Sequence, residues 1–207
     1  MATITKEEIL EILSTTRDLS GMDLSFMDLS GMDFSGAILQ KTNFCYANLS
    51  HADLCKASLH NANLSHANLC EANLHDADLD KANLSEADLP NANLTEAILT
   101  EANLSDAYLR GANLTEAGLY KADLTGADLC DANLYEAYLC DANLYDTKLH
   151  RTNFSFADLC RADLSEADLR GANLSEADLR GVNLSYAIVR KATLEVALLD
   201  DVVITSL

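Results

Sequence analysis

The chain has 207 residues, a formal net charge of -19, 49% hydrophobic residues, one proline, no tryptophan and only 8 glycines; Ala, Leu, Asn and Asp dominate, which points to a simple repeated unit rather than a varied globule. The negative balance argues against direct binding of nucleic-acid phosphates or anionic membranes and favours solubility or a basic partner. No apolar run approaches the roughly 18 residues of a membrane-spanning helix, no basic-then-apolar leader opens the chain, and six cysteines without C-x-x-C spacing suit free thiols, so the chain reads as cytoplasmic.

Residues 1–16 read as a capping helix. Thr5 fits an N-cap with Glu8 at the third helical position, a capping box, and Ile9, Leu10, Ile12 and Leu13 come next at helical spacing. Such a short amphipathic helix is expected to cover the first layer of the adjoining repeats and to block edge-to-edge aggregation.

Residues 17–207 carry one five-residue beat. Every fifth residue from Leu19 to Ile204 is large and apolar, Leu in 33 of 38 positions, the others being Phe34, Phe44, Phe154, Val189 and Ile204. Two residues earlier stands Ala in 29 of 38 cases, with Asn or Asp between in most repeats. A helix turns about 100° per residue, so successive Leu would fall about 140° apart and form no stripe. A continuous strand fails as well, because five is odd and successive Leu would alternate between faces. Three extended residues (Ala in, Asn or Asp out, Leu in) followed by two corner residues satisfy the pattern.

The outward residue also alternates with a ten-residue period. Asn63, Asn73, Asn83, Asn93, Asn103 and Asn113 form one set, and Asp78, Asp88, Ile98, Tyr108, Gly118 and Asp128 the other. Opposite sides are therefore alike, which four sides and 20 residues per coil satisfy, with coils about 4.8 Å apart as in paired strands.

The A-[DN]-L-x-x unit, as in Ala82-Asn83-Leu84-Ser85-Glu86, resembles the pentapeptide-repeat family over about nine-tenths of the chain. The resemblance implies an all-β solenoid, a right-handed quadrilateral parallel β-helix, here of about nine coils. Two roles are to be weighed, the first read from the surface and the second implied by the resemblance. One is a non-catalytic scaffold that presents a regular acidic surface to another protein. The alternative is a DNA mimic that occupies a topoisomerase such as DNA gyrase, as some members do.

No chemistry of cofactors is expected. A lumen filled with Leu and Ala leaves no cleft, no Ser-His-Asp or Cys-His constellation assembles, and no Gly-rich phosphate loop interrupts the frame. No two of His51, His60, His66, His75 and His150 stack in neighbouring coils; only Cys55 and His75 share a row one coil apart, too few ligands for zinc. Cys140 and Cys160 also share a row, at a spacing of about 4.8 Å that a disulfide tolerates, so they read either as a redox bridge or as two thiols at a permissive corner.

The surface charge is uneven. Residues 71–146 hold 16 acidic and 3 basic side chains, and one row runs Asp76, Glu96, Glu116, Glu136 beside a row bearing Lys41, Lys81, Lys121 and Arg161. Confinement of acid to this waist, the basic row, and Arg151, Arg161, Arg170, Arg180 and Arg190 in the last third weigh against DNA mimicry, as does the absence of the loop insertions of resistance-type members. Ile98, Gly118 and Tyr138 replace the outward polar residue in one row, with Thr100, Tyr120, Cys140 and Cys160 stacked beside them. Ile98, Tyr120, Tyr138 and Cys140 are the candidate partner-binding patch. The frame then continues through Ala197, Leu199, Val202 and Ile204 to Leu207 without a helix signal, so a homodimer through the C-terminal coil is expected.

Overall fold

The computed structural model describes residues 4–204; the start at Met1–Thr3 and the expected continuation to Leu207 lie outside the described residues. A helix, α1, spans Lys6–Thr15. Its capping box is closed, with the Glu8 N–H donating to Thr5 Oγ1 at 3.2 Å and the Thr5 N–H to Glu8 Oε2 at 2.8 Å. Ile9 and Leu13, one helical turn apart, are buried and Leu10 faces water. Arg17 ties the helix to the coils beneath, since its guanidinium donates to Leu13 O at 3.2 Å and to Asp33 Oδ1 at 3.1 Å.

Beyond Thr16 the backbone winds into four-sided coils. Parallel β-bridges join residues 20 apart, from Asp18↔Ile38 to Asn183↔Val203, and each bridge sits on the outward residue of a repeat. The first side carries residues 17–19, 37–39, 57–59 and onward; the second 22–24 and 42–44; the third 27–29 and 47–49; the fourth 32–34 and 52–54. Two corner residues complete each side. Leu from Leu19 to Leu179 and Ala from Ala37 to Ala177 are at most 1% exposed, so the lumen is packed solid. Where Thr42, Thr147 and Thr152 replace Ala, each hydroxyl donates to a carbonyl, of Leu19, Leu144 and Leu129 respectively, which removes the cost of burying it.

One repeat shows why the unit has five residues of these kinds. Ala82 N–H closes the corner turn on Leu79 O at 2.9 Å, Asn83 N–H reaches back one coil to Ala62 O at 2.9 Å, Leu84 N–H reaches forward to Asn103 O at 2.7 Å, and Glu86 N–H to Ser105 O at 2.9 Å. The fifth, Ser85 N–H, meets no backbone carbonyl and donates to Asn83 Oδ1 at 3.1 Å. Every donor is thereby satisfied, and the outward Asn or Asp is the residue that supplies the missing acceptor. The second corner residue is left-handed throughout, as at Glu86 (φ 56) and Gly36 (φ 60), the conformation a type II turn demands.

The ten-residue alternation also has a cause. On the second side Asn63 Nδ2 donates to Asn43 Oδ1 at 3.0 Å, Asn83 to Asn63 at 3.3 Å and Asn103 to Asn83 at 3.2 Å; on the fourth, Asn93 donates to Asn73 at 3.0 Å and Asn173 to Asn153 at 3.1 Å. These opposite sides hold amide ladders, for which Asn is required because a carboxylate cannot donate. Among the described residues, no helix is long and apolar enough to cross a membrane.

Candidate functional site

A side that lacks a ladder carries the candidate patch. On the first side Ile98 pairs with Gly118 and Gly118 with Tyr138 across successive coils, so the three stack outward. Ile98 is 46%, Tyr120 39% and Tyr138 57% exposed, whereas Cys140 is half-buried beside them. None of Ile98, Gly118 and Tyr138, in three successive coils, has the side-chain oxygen with which Asn or Asp caps the corner in most repeats. Among the described residues, the backbone N–H groups of Thr100, Tyr120 and Cys140 accordingly make no hydrogen bond. The patch therefore forgoes three backbone bonds that the repeat normally closes.

The two flanks of this side differ. The corner preceding it bears Asp76, Glu96, Glu116 and Glu136, of which only Glu136 is half-buried. Tyr135 is raised above its ordinary pKa, first by its hydrogen bond to Glu136, then by burial and the nearby carboxylates Glu136 and Glu116. The corner after it, where sequence spacing places Lys41, Lys81, Lys121 and Arg161, is an alternating ladder: Lys81 lies 3.7 Å from Glu101, and Arg161 grips Asp141 through Nε at 2.7 Å and Nη2 at 2.8 Å. Lys121 lies over the Tyr120 ring, 5.1 Å from its centroid.

Cys140 and Cys160 are neighbours, as their spacing implies, and Asp158 joins them, the three potential ligand atoms all lying within 4.8 Å of one another. The Arg161 guanidinium donates to both sulfurs at 3.2 Å. A cation thus already rests against the position a soft metal would share between the thiols. The Cys140 thiol is pushed up to about 11, by burial first, then by the Cys160 hydrogen bond and the charge of Asp158. That shift favours the protonated thiol at neutral pH, with the Arg161 charge opposing it. Neither Asp158, one coil above Tyr138, nor the contact of Arg161 with the sulfurs is legible from the spacing of like residues.

Two further clusters emerge. Phe26, Tyr46 and His66 stack at the corner after the second side, with ring centroids 5.2 and 4.5 Å apart and planes within 10°. His51, His60 and His66 each reach an acid one coil on, Glu71 at 3.3 Å, Asp80 at 2.9 Å and Glu86 at 3.4 Å. Both clusters arise from 20-residue spacing between unlike residue types, a fainter signal than a row of identical residues.

Comparison with known proteins places this geometry. The family model described as Pentapeptide repeats matches in eight copies between residues 18 and 195, in windows running from 18–50 to 157–195. A similar solved structure is HetL, a pentapeptide repeat protein involved in heterocyst differentiation regulation from the cyanobacterium Nostoc, 35% identical over 97% of both chains with a TM-score of 0.52. A pentapeptide repeat protein of the Arabidopsis thaliana thylakoid lumen is 33% identical over 51% of this chain and 66% of its own, TM-score 0.37. QnrB1, a plasmid-mediated fluoroquinolone resistance protein, is 19% identical over 87% of this chain and 88% of its own, TM-score 0.45, a likeness too slight to bear on partners. No curated protein matches.

Proposed function

The chain belongs to the pentapeptide-repeat family, whose right-handed quadrilateral β-helix it shares, and on that premise we propose that it is a non-catalytic scaffold that docks another protein on its first side. Ile98, Gly118 and Tyr138 form the centre, Tyr120 and Cys140 the margin, and the acidic row Asp76, Glu96, Glu116 and Glu136 the rim. The observation that carries the reading is the lost corner acceptor. A repeat that uses Asn or Asp to cap the next-but-one N–H gains nothing for its own fold from Ile, Gly or Tyr there, whereas a partner gains an apolar anchor inside a charged rim. HetL, so similar in sequence, is involved in regulation; that likeness supports a regulatory rather than a chemical role. Six cysteines without C-x-x-C spacing favour a reducing, cytoplasmic setting.

The test is affinity capture on the immobilised protein beside its Tyr120→Ser/Tyr138→Ser variant, at low and high salt. A docking patch loses its bound protein in the variant and holds it at high salt, because apolar burial is not screened. An unchanged capture profile removes the patch. The alternative, mimicry of DNA, draws on the acidic row alone, since the next corner is neutralised by Lys81, Lys121 and Arg161. It requires inhibition or protection of DNA gyrase in a supercoiling assay, with steep salt dependence.

A further inference from the structure

The corner between the third and fourth sides contains a cleft. Its volume is about 500 Å³ and it is lined by His150, Arg151, Arg170, Gly171, Arg190 and Lys191, residues of three successive coils. The notch has a simple origin. In this corner row Arg151 and Lys191 are separated by Gly171, which has no side chain to fill the middle coil; a Cβ there would meet only Arg151 Cγ, at 3.6 Å. On a chain of net charge -19, the cleft is cationic.

Its cations are of two kinds. Arg151 is held by Asp131 through Nε at 2.5 Å and Nη2 at 2.6 Å, and Arg170 by Asp168 through the same two nitrogens at 2.8 and 2.5 Å. Both guanidinium groups are thus fixed in place with Nη1 making no hydrogen bond among the described residues. Arg190 and Lys191 have no acidic partner within 4.0 Å among the described residues. Four cations against two carboxylates leave a surplus of two positive charges. His150 lies in the cleft wall beside them. Its Nδ1 is shielded from solvent without a hydrogen-bond partner. Its backbone N–H, which has no Asn or Asp cap because Lys148 stands at that position, turns instead to the Cys130 thiol.

We propose that this cleft is a binding site for a phosphate monoester group, a dianion whose charge matches the surplus and whose oxygens suit the pre-positioned Arg151 and Arg170 N–H donors and the unpaired Arg190 and Lys191 cations. The ligand is a phosphorylated small molecule or a phosphorylated side chain of a partner. The site is independent of the apolar patch, which lies on the first side, opposite the third.

The experiment is calorimetric titration of the intact protein with three probes: inorganic phosphate, a phosphoserine peptide, and the same peptide unphosphorylated. Two variants keep the fold while altering the cleft. Gly171→Asp fills the notch with a residue the same corner row already accommodates at Asp131 in the left-handed conformation (φ 62). Arg190→Ala removes an unpaired cation at an exposed first corner position. Arg180→Ala, whose guanidinium is bound to Asp178 on another side, is the control. Saturable phosphate binding weakened about tenfold or more by Gly171→Asp and by Arg190→Ala, but unchanged by Arg180→Ala, is expected; tenfold is the loss of one charge-assisted contact. Equal affinity for phosphate and phosphopeptide identifies a small-molecule site, and preference for the phosphopeptide over both other probes identifies a partner's side chain. Non-saturable binding, or binding that both cleft variants leave intact, overturns the proposal.

Discussion

Each fifth residue is held at positive φ, where an L side chain crowds its own backbone, yet glycine is scarce: Gly36 (φ 60) is matched by Lys56 (φ 58) one coil on in the same row. The strain is therefore distributed along the rod and offset by the hydrogen bonds that each corner completes. Space around Gly36 is open, with nothing within 4 Å of an added Cβ. Gly36→Ala is thus expected to lower unfolding free energy by about 1 kcal/mol through backbone conformation alone, and Lys56→Gly to raise it by a similar amount. Urea denaturation of the two variants checks the sign, and equal stability of all three chains would show that the corner is unstrained. Acid sensitivity belongs to the same scale. Asp168 and Asp178 lie below the ordinary carboxylate range, chiefly through hydrogen bonds from Arg170 and Arg180. Because their folded values are depressed, their contribution is complete above about pH 4 and is lost as pH falls through the lowered values. Arg170→Ala/Arg180→Ala is expected to flatten the acid limb of the melting temperature and leave its slope near neutral pH unchanged.

At the scale of one side, an amide ladder and an apolar patch are alternative uses of the same outward position. Asn83 receives an amide N–H from Asn103, donates one to Asn63 and caps Ser85 N–H. The isosteric Asn83→Asp keeps the cap and the accepted bond but sets a carboxylate against Asn63 Oδ1, so a loss of about 1 kcal/mol is expected. On the first side, Asp78 lies between Ser58 and Ile98 with no ladder to join, and Asp78→Asn is expected to be neutral. If both substitutions cost the same in chemical denaturation, the ladder adds nothing beyond the corner cap. Composition varies most where no ladder runs, on the first side and on the third side beyond Asn68, whose ladder ends at Asn68–Asn48–Asp28; the patch and the thiol pair adjoin the former and the phosphate cleft the latter.

Over the whole molecule each coil contacts its neighbours alone, so the coils stand as an array with two ends. One end is closed by α1. The last described coil leaves Val189, Leu194, Val196, Leu198, Leu199 and Ile204 exposed, and among the described residues the N–H groups of Leu194 and Leu199 make no hydrogen bond.

The periodic features of the molecule are legible in its amino-acid order alone. Leu at every fifth place with Ala two before it gives one short side and one corner per repeat, the ten-residue alternation of the outward residue suits four sides, and the Thr5/Glu8 box marks a helix start, because all three depend on local geometry and on spacing along the chain. Contacts across coils between unlike residues are legible only once the coils are stacked. Arg161 over Cys140 and Cys160, Asp158 beside them, and Gly171 opening a notch between Arg151 and Lys191 all depend on side-chain rotamers and on which corner donors lack an acceptor. The five-residue beat sets each residue's row, but the reach of a guanidinium and the space left by a missing side chain are properties of three stacked coils together.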